Sequence, residues 1–167
     1  SKLTVPNAGI RIALNQISAV SHGLRQRIVD HRAEGYSSIF DFVCRTSPER
    51  DELEQLILCG AFDSLCSNRR ALLWAIPNAF AHAETQRALL DGLNMTVNEP
   101  EIPSGIDDFL PHEKGIYERS ILGMDIAHHL MAYERERVLI KGVVMGSEIA
   151  SMLSLIHISE PTRPERI

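Results

Sequence analysis

Arginines near the starts of predicted helices are the residues of this sequence best suited to binding chemistry. Residues 1–32 carry five lysines and arginines against a single acidic residue, so this end of the chain is basic. Arg69 and Arg70 form a second basic pair where another helical pattern begins. Guanidinium groups and the free amides of a helix N-terminus both bind phosphate. The alternative is structural, because exposed helix faces often carry arginine and this pair can form salt bridges to Asp63 or Glu54.

The net charge of −5 does not exclude an anionic partner, because the charge is unevenly distributed. Residues 88–120 carry two basic residues against seven acidic ones, the reverse of the first 32 residues. The basic end is therefore free to face phosphate while the acidic stretch lies elsewhere. A hydrophobic content of 44% is ordinary for a globular domain, and no run of about 18 apolar residues predicts a membrane span.

Motifs for catalysis, cofactors or metals are absent from the sequence. It has no G-x-S-x-G nucleophile turn, no GKS or GKT phosphate loop and no dinucleotide fingerprint. His128 and His129 are adjacent, so they point to different sides of a helix, and the three cysteines lack zinc-site spacing. We expect no catalytic residue, no metal and no cofactor in this chain, and reduced thiols at Cys44, Cys59 and Cys66.

Apolar positions that recur every three or four residues predict a mainly α fold. One helical face covers residues 10–17, and small residues separate it from a second face over residues 24–29. We call this separation, residues 17–23, the first hairpin. Ser37 or Ser38 is predicted to cap a third helix, because a serine hydroxyl accepts a hydrogen bond from a first-turn amide. The inward residues of that third helix are Ile39, Phe40 and Val43.

Two further helices are predicted in the first ninety residues. Residues 46–49, Thr-Ser-Pro-Glu, combine a hydroxyl cap with a first-turn proline and predict a helix start. That helix ends just before Gly60, which can adopt the left-handed conformation that terminates helices. A long helix over residues 68–90 contains Pro77, which is expected to kink or split it. Trp74 is predicted to be a core residue of the long helix rather than a base-stacking one.

The second half of the chain divides into a linker and a shorter ordered segment. Residues 91–115 contain prolines, glycines and an Asp-Asp pair with little periodicity, which predicts an exposed acidic linker. Helical patterns return over residues 116–152, with residues 142–146 as a turn or short strand. The predicted fold is therefore a helical domain at residues 1–90, a linker, and a short α or α/β segment.

The two ends of the chain indicate a segment of a longer protein. The first residues include no initiator methionine and no signal-peptide pattern. Residues 153–167 begin LSLIHISEPTR, which resembles the in-frame translation of a transposon-type sequencing adapter rather than a native polar tail. We therefore expect residues 153–167 to be non-native and leave them out of the fold prediction.

Several stretches of the sequence resemble one protein family. Residues 56–65 read LILCGAFDSL and residues 68–74 read NRRALLW. This pattern is similar to the end of the tandem helix-hairpin-helix module in bacterial C-family DNA polymerases, the DNA polymerase III alpha subunits. Residues 118–131, ERSILGMDIAHHLM, resemble the family segment just before its OB-fold, with His129 on the family histidine. The resemblance covers about residues 10–152.

The resemblance implies that residues 1–90 form a tandem helix-hairpin-helix DNA-binding domain and that residues 116–152 lead to an absent OB-fold. In such a module, small hairpin residues and free amides contact DNA phosphates without reading sequence. Ala19 and Ser21 replace the glycines of the family's first hairpin. The second hairpin, residues 45–50, is expected to be mainly structural, because its proline lacks an amide donor and its acidic residues repel phosphate. The predicted DNA contacts are Ser21, Gly23, Arg25, Arg27, Arg69 and Arg70.

The resemblance also implies what the parent protein does. A C-family polymerase is a cytoplasmic enzyme of DNA replication and repair that extends a primer with deoxynucleoside triphosphates and Mg²⁺. It works with a sliding clamp and other polymerase subunits, and its catalytic acids lie in a palm domain upstream. Residues 71–74, Ala-Leu-Leu-Trp, look more like the error-prone, translesion branch than the main replicative one.

On this interpretation the segment holds the primer–template duplex and catalyses nothing itself. Two alternatives stay open. One is a helical protein-interaction module without DNA binding, and the other is a helix-hairpin-helix DNA repair protein.

Overall fold

The computed structural model describes residues 12–90 and 97–149, except residues 127, 145 and 147. Single turns of 3₁₀ helix at Leu14–Gln16 and Arg32–Glu34 flank the first α-helix. None of the described residues lies in a strand, which confirms the mainly α prediction. The α-helices are α1 His22–His31, α2 Ile39–Thr46, α3 Arg50–Leu58, α4 Arg69–Leu90, α5 Pro111–Leu122 and α6 Met131–Ile140.

The chain divides into two compact units after Leu130. The first unit contains α1–α5 and the second contains α6. Of the turn or short strand predicted over residues 142–146, the described part of that region shows a turn and no strand. Gly142 adopts a φ of 78° and its amide donates to the Leu139 carbonyl at 2.9 Å, which closes α6. Lys2 and Arg11 of the basic end, residues 91–96 of the predicted linker, and residues 150–167 lie outside the described residues.

The core of the first unit forms where α4 packs along α2 and α3. The side chains of α2 predicted to face inward are buried, which confirms that helical face. Ser38 caps α2, because its hydroxyl accepts a hydrogen bond from the Asp41 amide at 3.0 Å. Ahead of α1, the predicted helical face over residues 10–17 appears as one 3₁₀ turn among its described residues. The largest fully buried side chains are Val20, Leu24, Ile39, Phe40, Val43, Thr46, Leu53, Leu56, Ile57, Leu72 and Ile76.

The turn between α2 and α3 differs from the sequence prediction. Glu49, not a hydroxyl residue, is the N-cap of α3, and it forms a reciprocal capping box with Glu52. Ser47 instead ends α2 in the left-handed conformation, at φ 46° and ψ 60°, and its amide donates to Val43. The serine therefore ends one helix through its backbone rather than capping the start of the next through its hydroxyl.

Helix α4 is continuous from Arg69 to Leu90 and is not split at Pro77, which is exposed. The prediction that Trp74 is a core residue is wrong, because 67% of it is exposed. The buried positions of α4 include Leu72 and Ile76, and at 100° per residue Trp74 lies two steps from each, on the opposite face. The helical position of Trp74, rather than the large apolar area of its indole, therefore determines that it is exposed.

The predicted linker of residues 91–115 contains the start of a helix. Helix α5 begins at Pro111, and Gly115 is buried within it. The non-helical residues before α5 are tied to the helical core. The Asn68 side-chain amide donates to the Ile106 carbonyl at 2.6 Å, and Ser38 donates to Glu99 at 2.8 Å. The described part of this segment is therefore held against the helices of the first unit, to which it belongs.

Arg69, the first residue of α4, is buried, with 4% of it exposed. Its Nε and Nη2 donate to the two carboxylate oxygens of Asp63 at 2.8 and 2.6 Å. Nη2 also donates to Glu118 of α5 at 2.7 Å, and Nη1 donates to the Leu58 carbonyl at 2.9 Å. Burial alone would lower the pKa of Arg69, but the bonds to Asp63 and Glu118 hold it above its ordinary value. One side chain thus joins α3, α4 and α5.

Replacing Gly60 by alanine should destabilise the fold strongly, because this glycine makes room for Arg69. Gly60 has a φ of +86°, and a Cβ there would lie 2.3 Å from Arg69 Nη2. We expect Gly60→Ala to lower the free energy of unfolding by about 3–4 kcal/mol, from backbone strain plus displacement of the guanidinium. Urea denaturation followed by circular dichroism measures this loss.

Gly35→Ala is the matched control, since Gly35 has a φ of +72° and open space around it. It should lose only the backbone contribution of about 1–2 kcal/mol. Equal losses in the two variants would contradict a role for Gly60 in accommodating Arg69.

Candidate nucleic-acid interface

The first hairpin places a helix N-terminus at the surface. Ser21 is the N-cap of α1, and its hydroxyl accepts a hydrogen bond from the Leu24 amide at 3.2 Å. Ser21, His22 and Gly23 are exposed, while Val20 and Leu24 on either side are fully buried. First-turn amides such as those of His22 and Gly23 have no intrahelical acceptor. The buried residues thus fix a small, exposed turn whose amides can meet an anion.

Arg27 connects the first hairpin to the second. Its Nε donates to the Thr46 carbonyl and its Nη2 to the Ser47 carbonyl, the latter at 3.2 Å. A Cβ on Gly23 would lie 3.3 Å from Arg27 Nη1. The missing side chain at Gly23 therefore leaves room for the guanidinium between the start of α1 and the end of α2.

Glu52 is a second connection between the two hairpins, and only 4% of it is exposed. Its Oε1 accepts from the Ser21 amide and its Oε2 from the Glu49 amide, each at 2.8 Å. Burial alone would raise the pKa of Glu52, but hydrogen bonds from Ser21 and Glu49 and the nearby Arg27 charge hold it below its ordinary value. An ionised carboxylate therefore sets the spacing of the two turns. In the sequence Glu52 is only one acid in an acidic run, so nothing there indicates this role.

Arg25 folds back on the first hairpin. Its Nη2 and Nε donate to the Val20 carbonyl at 2.7 and 3.0 Å, and Nε also approaches the Ser21 carbonyl at 3.3 Å. The side chain is half-buried, so its charge lies at the hairpin surface. The structure therefore brings four of the predicted contacts together at the two hairpins: Ser21, Gly23, Arg25 and Arg27.

Arg87 joins this group although the sequence pattern does not select it. Its Nη2 donates to the Ser47 hydroxyl, and Arg87 is exposed near the C-terminal end of α4. Forty residues separate it from Ser47 in sequence. No local motif marks the position, because only the packing of α4 along α2 brings this arginine to the second hairpin.

The remaining two predicted contacts, Arg69 and Arg70, lie at the opposite end of α4. At 1.5 Å per residue, Arg70 is about 25 Å along the helix from Arg87. The Arg69 guanidinium is buried and already forms ion pairs with Asp63 and Glu118. The Arg70 guanidinium lies 4.5 Å from the centre of the Phe109 ring and 3.7 Å from Glu113, and it is partly exposed. Arg69 is therefore structural in this arrangement, and Arg70 is a separate surface residue.

In the part of the chain that the structure describes, groups that could hold a metal are not brought together. Among the residues that the structure describes, no three His, Cys, Asp or Glu side chains cluster as a metal site. The cysteines are free and half-buried, and burial raises the pKa of the Cys44 and Cys59 thiols, which disfavours thiolate. Asp108 accepts hydrogen bonds from two backbone amides and pairs with Lys114.

Across the same described ranges, no helix has the length and apolarity to cross a membrane.

Comparison with known proteins gives a consistent set of relatives. The family model described as a helix-hairpin-helix motif matches residues 1–72. An error-prone DNA polymerase of Symbiobacterium thermophilum is 32% identical over 160 residues, covering 84% of this chain and 15% of that protein. An error-prone DNA polymerase of Mesorhizobium japonicum is 27% identical, covering 87% of this chain and 13% of that protein. The DNA polymerase III subunit alpha of Bacillus subtilis is 30% identical, covering 84% of this chain and 13% of that protein. The chain thus spans less than a sixth of these relatives.

Replacing Glu52 by glutamine should lower the free energy of unfolding at neutral pH. It should also make that free energy depend less on pH in the acid range. Because the folded pKa lies below the unfolded one, the ionised carboxylate stabilises the fold above the unfolded pKa. That contribution is lost as the pH falls through the folded pKa. Glutamine offers one acceptor oxygen instead of two, so we expect a loss of about 1–3 kcal/mol at pH 7 and a smaller difference in acid. Urea midpoints from pH 7 downward measure this.

Glu54→Gln is the control for this experiment, since Glu54 is partly exposed and forms an i,i+4 pair with Arg50. It should change stability by about 0.5 kcal/mol or less. Parallel stability curves for the wild type and the Glu52 variant across the acid range would argue against the hairpin connection.

Proposed function

Because the chain belongs to the bacterial C-family of DNA polymerases, we propose that it holds the primer–template duplex through phosphate contacts behind the polymerase active site. The observation that carries this proposal is the surface formed by the two hairpins. There, Arg27 lies between the exposed start of α1 and the Ser47 carbonyl, and Arg87 of α4 contacts the hydroxyl of the same serine. A duplex backbone is a regular line of phosphates, which suits a surface built from several anion-binding points.

The contacts at this surface would be independent of base sequence. Backbone amides and guanidinium groups that reach phosphate carry no base information. The candidate contacts are Ser21, Gly23, Arg25 and Arg27, with Arg70 as a separate point at the other end of α4. Arg69 is excluded from the proposed surface, because each of its three guanidinium nitrogens already donates to a protein oxygen.

The activity proposed for the whole enzyme is DNA-directed DNA synthesis of the error-prone type, in translesion synthesis and DNA repair. The names of several relatives and the Ala-Leu-Leu-Trp pattern of residues 71–74 support that branch. The Mg²⁺ ions of such an enzyme need acidic ligands. Asp107 and Asp108 do not fit this role, since Asp108 is engaged by Lys114 and two amides. We therefore propose that the ions, a sliding clamp and other subunits bind elsewhere in a cytoplasmic enzyme.

A protein-interaction module is the second candidate function, and one observation favours it. Trp74 is 67% exposed on α4, and an exposed tryptophan is typical of protein interfaces. DNA binding by the hairpins would not depend on this residue, so the two functions can be separated by experiment.

Duplex binding by the chain should be weak, independent of sequence and sensitive to salt. We expect a dissociation constant of about 10⁻⁴ M or weaker at physiological salt, measured by anisotropy of a fluorescein-labelled primer–template. Replacing Arg25 and Arg27 together by alanine should lower the slope of log affinity against log salt. The decrease should be about one unit for each phosphate that these arginines neutralise in the wild type.

Arg119→Ala is the matched control, because Arg119 is exposed, pairs with Asp125 and lies outside both hairpins. It should leave the slope unchanged, and circular dichroism should show that the double variant remains folded. Absence of binding at low salt would refute the proposed function. So would a slope that the double substitution leaves unaltered.

A further inference from the structure

We propose that the second hairpin is itself a phosphate-binding point, formed by the Ser47 hydroxyl and the guanidinium groups of Arg87 and Arg27. The ligand is a phosphodiester of the duplex backbone, so the inference rests on the proposed function and extends it. The sequence favours a structural role for this turn, since proline removes an amide donor and acidic residues follow. The structure supplies the cations from outside the turn, from α1 and α4.

Ser47 has an unusual backbone conformation for its residue type. Its φ of +46° is the only positive φ among the non-glycine residues that the structure describes. An L-residue in this region is strained by about 1–2 kcal/mol, and glycine would adopt it freely. Retained strain of this kind is common at binding sites, where a side chain has to occupy one place. A serine here costs stability but presents a hydroxyl at the surface.

The polar atoms of Ser47 are held by three different elements. Its amide donates to Val43 of α2 at 2.9 Å, and its carbonyl accepts from Arg27 of α1 at 3.2 Å. Its hydroxyl oxygen accepts from Arg87 of α4, so the hydroxyl hydrogen is still available to donate. Ser47 and Arg87 are both exposed. A phosphate at this turn would meet one hydroxyl donor between two guanidinium groups.

Nearby carboxylates reduce the positive charge but do not occupy the site. Glu49 and Glu52 lie on the α3 side of the turn, and each accepts hydrogen bonds from backbone amides. Glu99 and Arg87 both affect the pKa of Cys44 electrostatically, so Glu99 belongs to the same region. Glu99 accepts a hydrogen bond from Ser38. Because these acids have partners of their own, Arg87 forms no ion pair with a carboxylate among the residues that the structure describes, unlike Arg69. We therefore expect one additional phosphate contact.

Two substitutions test the proposal in the full 167-residue chain, with a fluorescein-labelled primer–template duplex as the probe. Arg87→Ala should weaken binding severalfold and lower the salt slope by about one unit. Ser47→Gly should also weaken binding severalfold, while its thermal midpoint stays equal to or above that of the wild type, because glycine relieves the strained φ. A purely structural role for Ser47 would not produce weaker binding in an equally stable protein.

The controls separate this inference from the proposed function. Arg119→Ala removes the same charge from α5, away from both hairpins, and should bind like the wild type. If the wild type binds and both Arg87→Ala and Ser47→Gly match it in affinity and salt slope, the second-hairpin site is refuted and the proposed function stands. If the wild type does not bind at low salt, both fail. Arg87→Lys should recover part of the affinity, because lysine keeps the charge without the planar geometry.

Discussion

The buried guanidinium of Arg69 is the constraint on which the first unit depends. A charge with 4% exposure is tolerable only when its donors are satisfied, and here Asp63, Glu118 and the Leu58 carbonyl satisfy them. Each acceptor belongs to a different part of the chain, so the ion pairs fix the end of α3, the following turn and α5 around the start of α4. Removing the guanidinium would leave the buried carboxylate of Glu118 without this cation, which is more than a small local defect.

Two carboxylates of the first unit show how an acidic protein can present a basic surface. Glu52 is ionised but internal, where it accepts hydrogen bonds from two turns and so sets their spacing. Glu118 is likewise internal and neutralises Arg69. Acidic residues that are used inside the fold contribute to the formal charge of −5 without forming an acidic surface. Net charge is therefore a poor guide to the partner of this chain.

Features that depend on local chemistry could be predicted from the sequence. The Ser38 cap, the inward face of α2 and the stop at Gly60 each follow from one residue type at one helical position. The hairpin residues Ser21 and Gly23 could be selected because small residues interrupt two helical faces. The most specific part of the resemblance to the polymerase family is residues 56–74, which build the core more than the candidate surface.

Features that depend on packing between distant segments could not be predicted. Arg87 reaches Ser47 only because α4 lies along α2, and nothing near residue 87 indicates that contact. The choice between a surface and a structural role for Arg69 depended on Glu118, 49 residues away. The exposure of Trp74 was missed because its large apolar side chain suggested burial, while its helical phase places it outside.

The exposure of Trp74 also determines what can be seen by optical spectroscopy. It is the single tryptophan of the chain, so all indole fluorescence comes from one solvated position on α4. Its emission should already be close to that of indole in water when the protein is folded, and global unfolding should shift it little. The same ring would respond to any molecule that covers this face of α4. The chain thus carries a site-specific reporter on one helix face, with little sensitivity to the core beneath it.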